Sequence, residues 1–238
     1  MTGRVRSRAS ARGAPRTAAG DAVLGLDLAG SPHRSTGWCV IFPGRRARVG
    51  VAHTDSEIET LAEETKPALI IIDAPLSLPR GRRTIEDRTG PHLRECDREL
   101  LRRRIRFFPL TLGPMRMLTV RGMRLARRLG RAGFRVVEGY PGAAQDLLGI
   151  PRKGRGVDQL ARGLGRLGVR TAGARSELSH DELDALTIAW VGREHLEGRS
   201  WVIGDPEEGL MVLPRPRRLG SPSTGARSRK PLAAPTRR

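Results

Sequence analysis

Five acidic side chains, Asp27, Asp73, Glu138, Asp181 and Asp184, stand where chemistry can be built. Three close apolar, β-prone runs: Asp27 in Ala22 to Gly30, Asp73 after Ala68-Leu69-Ile70-Ile71-Ile72, and Glu138 after Phe134-Arg135-Val136-Val137. The other two lie three apart in Ser179-His180-Asp181-Glu182-Leu183-Asp184, a spacing that puts both on one face of a helix. Carboxylates brought together raise one another's pKa values unless cations neutralise them. Oxygen-only ligands suit Mg²⁺ or Mn²⁺, and no Cys/His set for zinc is present. Two such ions, roughly 4 Å apart, activate a water and stabilise the leaving oxygen in phosphodiester cleavage. Each acid also has a structural explanation. Asp27 can cap the adjoining turn and Asp73 can stabilise the Ala74-Pro75 turn. Glu138 can pair with an arginine, and first-turn acids such as Asp181 are favoured by the helix dipole.

The elements that must position these acids follow from pattern. Ser179 and Glu182 form a capping box, so a helix begins there. Its next turns carry Leu183, Leu186 and Trp190 on one side, with Ile188 and Val191 following the face of Asp184 on the other. Such a helix is apolar nearly all round and is expected to be buried. Ala22 to Gly30, Thr36 to Phe42 and Ala47 to His53 read as three strands with short links, an antiparallel meander. A surface helix over 55–64 returns the chain to the Ile-rich strand 68–73, which reads as central and covered on both faces. Acids at the carboxyl ends of such strands lie where open α/β sheets place their sites. Residues 79–91 read as a mobile loop, 93–104 and 115–129 as helices, 134–142 as a strand and 143–148 as a short helix. A basic turn at 151–154, a glycine-containing helix at 157–167, and a closing hairpin from 201–203 and 210–213 complete the chain.

With 238 residues the chain suits one domain, expected over 21–213, with an Arg-rich helical insertion at about 80–132. Aromatic residues are only 3%, so the core must be aliphatic. The net charge is +19, but residues 1–20 and 214–238 hold thirteen of those charges and no acid. Both segments are rich in Ala, Gly, Pro, Ser and Arg and read as disordered basic tails. They suit a polyanion, although Arg so outnumbers Lys throughout that a GC-rich genome explains the bias equally well. No apolar run approaches membrane-spanning length, and two unpaired-looking cysteines point to a reducing, cytoplasmic setting ahead of an organelle transit peptide.

Residues 101–137 contain eleven Arg and no acid. On the helix expected at 115–129, Leu118, Leu125 and Leu129 form an apolar stripe, and arginines occupy much of the remaining surface. Without local acids to balance them, Arg102, Arg103, Arg121, Arg124, Arg128 and Arg131, with Lys153 of the basic turn, are the candidate phosphate contacts.

The order of three meander strands, a helix, a parallel strand, further helices and a last acidic helix resembles the ribonuclease H-like fold. Asp181 to Ala189 resembles the final active-site helix of RuvC-type Holliday junction resolvases. In that family one acid stands on the first strand, one after the fourth and two on this helix. The resemblance thus implies metal-ligand roles for Asp27, Asp73, Asp181 and Asp184, with Asp73 standing where those enzymes usually have Glu. A closer resemblance is to the domain of unknown function 429 family, regarded as predicted nucleases. It rests on Gly25-Leu26-Asp27, Asp73-Ala74-Pro75-Leu76, Arg94-Glu95-Cys96-Asp97 with Arg102 to Pro109, Glu138-Gly139-Tyr140-Pro141-Gly142, and His180-Asp181 to Ala185, and covers about residues 22–195. The implied fold is a mixed five-stranded sheet flanked by helices. The implied activity is a Mg²⁺- or Mn²⁺-dependent nuclease with two ions: Asp27 bridging them, Asp73 and Asp184 holding one each, and Asp181 or Glu138 completing a shell. Its partner would be DNA or RNA, and a dimer is compatible with the family. The rival readings are an actin-like phosphotransferase or nucleotide hydrolase, suggested by Gly25 to Ser31, and a non-catalytic nucleic-acid binder.

Overall fold

The computed structural model describes residues 22–31 and 34–216. The expected tails at 1–20 and 214–238 therefore lie outside the described residues, apart from 214–216. Three antiparallel strands open the chain: β1 (Val23–Asp27), β2 (Thr36–Ile41) and β3 (Arg46–Ala52). Helix α1 (Asp55–Thr65) starts where the Thr54 hydroxyl accepts from the Glu57 N–H, and ends at Lys66 in a left-handed conformation. It returns the chain to β4 (Leu69–Asp73), which runs parallel to β1. After α2 (Glu95–Arg102) and α3 (Gly113–Arg131), β5 (Val136–Gly139) adds parallel to β4. Helices α4 (Pro141–Leu148) and α5 (Val157–Gly165), the two-residue strand β6 (Arg170–Thr171) and α6 (His180–Leu196) follow. The hairpin of β7 (Ser200–Asp205) and β8 (Gly209–Pro214) closes the chain.

The sheet order is β6-β3-β2-β1-β4-β5-β8-β7. Its central run, 3-2-1-4-5 with an antiparallel meander joined to parallel strands, is the ribonuclease H-like arrangement. The sheet has eight strands rather than five, because the hairpin joins β5 through β8 and the short β6 pairs with β3. Nothing in the composition of Arg170-Thr171 marks a strand; only its position beside Arg46-Ala47 makes it one.

Alternation along the central strands separates two faces. Leu24, Leu26, Ile70 and Ile72 pack with Ile58 of α1 and with Leu125 and Leu129 of α3. Val23, Leu69 and Ile71 face the other way, onto Ile188 and Val191 of α6. Helix α3 therefore belongs to the main core, within the stretch expected as an insertion. Segment 79–91, expected as a mobile loop, is tied down internally. The buried Arg82 guanidinium donates to the carbonyls of Asp87, Gly90 and Pro91, and Asp87 accepts from the Arg83 and Thr84 N–H groups.

Helix α6 lies unusually close to the sheet because two strand positions lack a side chain. A Cβ on Gly25 would sit 2.5 Å from the Ala185 carbonyl oxygen, and one on Gly37 would sit 2.3 Å from that of Asp181. Gly37 is the β2 partner of Asp27. The same close approach that buries α6 thus lowers its acidic first turns onto the end of β1.

Candidate active site

Parallel pairing puts Asp27 and Asp73 side by side. Leu26 and Ile72 are in register, so the next residue of each strand lies at the same carboxyl edge and on the α6 face. Helix α6 enters through the expected capping box: the Ser179 hydroxyl accepts from the Glu182 N–H, and the Glu182 carboxylate accepts from the Ser179 N–H. One turn later Asp184 is only 4% exposed. Its Oδ1 accepts from Gln145 Nε2 at 2.6 Å, and its Oδ2 meets Lys153 Nζ at 2.9 Å. Asp181 Oδ1 lies 2.7 Å from His180 Nδ1.

Electrostatics tie the four aspartates into one group. Burial pushes the Asp27 carboxyl from 3.8 up to about 7, helped by Asp184 and Asp181 and opposed by the Lys153 ammonium. Burial also holds Asp73 well above the ordinary carboxylate range, reinforced by Asp27 and Asp184. Around Lys153, burial works against the charge, but Asp184, Asp27 and Asp181 more than offset it and raise its pKa. Such mutual destabilisation calls for added positive charge. The all-oxygen donor set suits Mg²⁺ or Mn²⁺ in chemistry. Among the described residues, though, no three His, Cys, Asp or Glu side chains are arranged to clasp an ion as they stand. The Lys153 ammonium supplies the positive charge at Asp184.

Glu138, expected as the fifth member, belongs to a different network. It pairs in register with Ile72 rather than Asp73, so its side chain leaves the opposite face of the sheet; Gly139 is the residue level with Asp73. There Arg94, 2% exposed, donates to both Glu138 oxygens at 2.6 and 2.8 Å and to both Asp97 oxygens at 3.2 and 3.0 Å. The Leu76 N–H donates to Glu138 at 2.9 Å. This arginine, clamped between two carboxylates, is a brace that engages both Glu138 oxygens, while the Glu138 charge still helps to raise Asp73, with which it shares a cavity wall.

The expected basic face is largely consumed by ion pairs whose acids are remote in sequence or on α2. Arg121, 8% exposed, bonds Asp55 of α1 and the Ala29 carbonyl, and Arg128 bonds Glu59 at 2.6 Å. Arg102 pairs with Glu95 and Glu99. Arg103 bonds Glu99 and lies 3.9 Å over the Trp201 ring. Arg124 and Arg131 are exposed, and Lys153 is held by Asp184. Counting charge within residues 101–137 missed α1 because that helix lies some sixty residues away in the chain.

The acids separate two hollows. A cavity of about 280 Å³ has Asp73, Asp184 and Lys153 in its wall, while a smaller one of about 220 Å³ has Asp27, Asp181, Arg34 and Lys153. Met115 and Leu118 of α3 border both.

A family model described as "Protein of unknown function (DUF429)" matches residues 25–208. The chain belongs to this family. The matched stretch of this DUF429 protein holds all four aspartates, the Arg94 brace and Lys153. No curated protein matches. Among solved structures, "T. thermophilus RuvC in complex with Holliday junction substrate" is similar at 14% identity over 74% of this chain and 96% of that one, with a TM-score of 0.43. "Thermus thermophilus RuvC structure" shares the same identity and coverage at a TM-score of 0.41. The fold assignment of this DUF429 member rests on the strand order given above.

Two features of the site escaped sequence reasoning. Gln145 is a polar residue on the apolar helix α4, and its fully buried amide is spent on Asp184 and Thr187. For Arg94 the salt bridge to Asp97, three residues on, is the local reading the motif offers and is present; what escaped is its pairing across 44 residues with Glu138, which has no local signature.

Proposed function

We propose that this protein is a metal-dependent nuclease that hydrolyses phosphodiester bonds at Asp27, Asp73, Asp181 and Asp184. The observation that carries the reading is the contrast between its two carboxylate groups. Where the fold needs carboxylates merely stabilised it uses an arginine, as with Glu138, Arg94 and Asp97. Among the described residues, the four aspartates make ion pairs only to Lys153 and to the adjacent His180. Holding acids together at such cost, beside two hollows, suits a site that receives its neutralising charge from outside.

Asp27, Asp73, Asp181 and Asp184 are the side chains that would hold divalent ions, with small side-chain rotations to close the set. Bound there, Mg²⁺ or Mn²⁺ would supply an activated water and charge stabilisation at the scissile phosphate. Gln145 fixes the orientation of Asp184. Lys153, half exposed and on a short turn, is free to move from Asp184 to a phosphate oxygen once the acids are otherwise neutralised. Arg34, exposed beside Asp27, offers a second phosphate contact. The phosphotransferase alternative fares worse, because Gly25 packs against Ala185 and Ala189 instead of lining a phosphate loop.

The test is a cleavage screen of single-stranded, duplex and branched DNA and RNA with Mg²⁺ or Mn²⁺, wild type beside Asp27→Asn. Metal-dependent cleavage confined to the wild type is expected. Salt-sensitive binding without turnover on any substrate would instead favour a non-catalytic nucleic-acid binder.

A further inference from the structure

The 280 Å³ cavity has a lining that phosphate chemistry does not need. Phe107, Phe108 and Tyr140 contribute aromatic surface, and Leu100, Leu110 and Met211 add aliphatic surface. Its volume is near the lower end of small-ligand sites, roughly 300 Å³. Phe108 is 69% exposed, an unusual position for a phenylalanine in a chain with four of them. The polar part of the lining is equally particular. Glu138 and Asp97 border the cavity; Arg94 and Cys96 occupy all four acceptor sites of Asp97, whereas Glu138 Oε1 accepts only from Arg94 and retains an unused lone pair. Such an acceptor suits an N–H group of a base edge. Asp73, Asp184 and Lys153 complete the wall.

We infer that this cavity receives a single nucleobase of the substrate strand, swung out of its stack so that the phosphate attached to its nucleoside lies at the aspartates. The inference rests on the nuclease reading and adds a substrate feature to it: an unpaired or readily unstacked nucleotide beside the cut. Flat aromatic walls take any base by its π-face, and the free Glu138 acceptor favours bases with an exocyclic amino group. Unstacking costs least where the base is already unpaired, so single strands, loops and branch points are the preferred class. A duplex held in register could not place a base there.

The experiment measures binding without turnover, so it stands even if cleavage is never seen. Fluorescence anisotropy is recorded in EDTA for labelled single-stranded DNA and RNA oligonucleotides and for a series with one abasic sugar moved along the strand. An abasic sugar at one position is expected to weaken binding roughly 5- to 100-fold, with little effect elsewhere. Phe108→Ala should weaken intact strands and leave that abasic strand unchanged. Met115→Trp, which fills the shared edge of the cavity, should do the same, with unchanged circular dichroism confirming its fold. Mononucleotides separate the sources of the base: weak competition is expected, whereas a mononucleotide binding as tightly as the strand would overturn the strand reading. A flat abasic scan with unaffected variants would overturn the base subsite while leaving the nuclease reading intact.

Discussion

Replacing Asp27 with asparagine should stabilise the metal-free protein at neutral pH. The unfolded chain titrates this carboxyl near 3.8, and the folded protein near 7, because burial and the charges of Asp184 and Asp181 oppose ionisation more than Lys153 favours it. Between those values the folded state binds the extra proton, so stability is greatest at the acid end of the window and falls as pH rises through it. At about 1.4 kcal/mol per pH unit, the span sets a ceiling of roughly 4 kcal/mol. Relaxation around Lys153 reduces this, and we expect about 1–3 kcal/mol at pH 8, or roughly 3–10 °C in Tm for a domain of this size. The assay is thermal unfolding in EDTA from pH 5 to 8. Asp73, held high partly by Asp27, remains in the variant with one opposing charge fewer, so the difference between the two curves reports Asp27 together with the relief of Asp73. The variant should draw ahead of the wild type as pH rises. Excess Mn²⁺ should then raise the wild-type Tm and leave the variant nearly unmoved. Parallel curves, or a variant less stable than wild type at pH 8, would refute the electrostatic reasoning.

Four further outcomes follow from the same geometry. Glu138→Gln should cost about 3–5 kcal/mol by leaving Arg94 buried with one charged partner, which a denaturant titration will read. Arg121→Ala should cost roughly 3 kcal/mol of stability and leave the salt dependence of nucleic-acid binding unchanged, because this guanidinium is engaged by Asp55. Arg124→Ala, at an exposed position, should reduce the salt slope by about 1 if it touches a phosphate. Lys153→Met should lower the Tm in EDTA and enlarge the Mn²⁺-induced rise, since it removes the ammonium that competes with an ion for Asp184.

What could be read from the chain depended on range. The capping box at Ser179 and the all-round apolarity of α6 are local signals, and so are the Ile run of β4 and the acid that ends it; each element appears where these place it. Strand register is not local. Treating Asp27, Asp73 and Glu138 as equivalent strand ends ignored the pleat, in which moving one residue changes the face, and Glu138 is one residue short of Asp73. The arginines of α3 misled for a similar reason, since their acids come from α1. The depth at which α6 sits depends on Gly25 and Gly37 meeting its backbone, a contact that glycine identity permits and only the assembled sheet reveals.

Cleavage by the wild type, Asp27→Asn and Asp184→Asn, measured side by side on single-stranded and branched nucleic acid with Mn²⁺, tests the four-aspartate site most directly. The account predicts metal-dependent cleavage by the wild type alone, with Asp27→Asn folded and no less stable. Undiminished cleavage by both variants would contradict it.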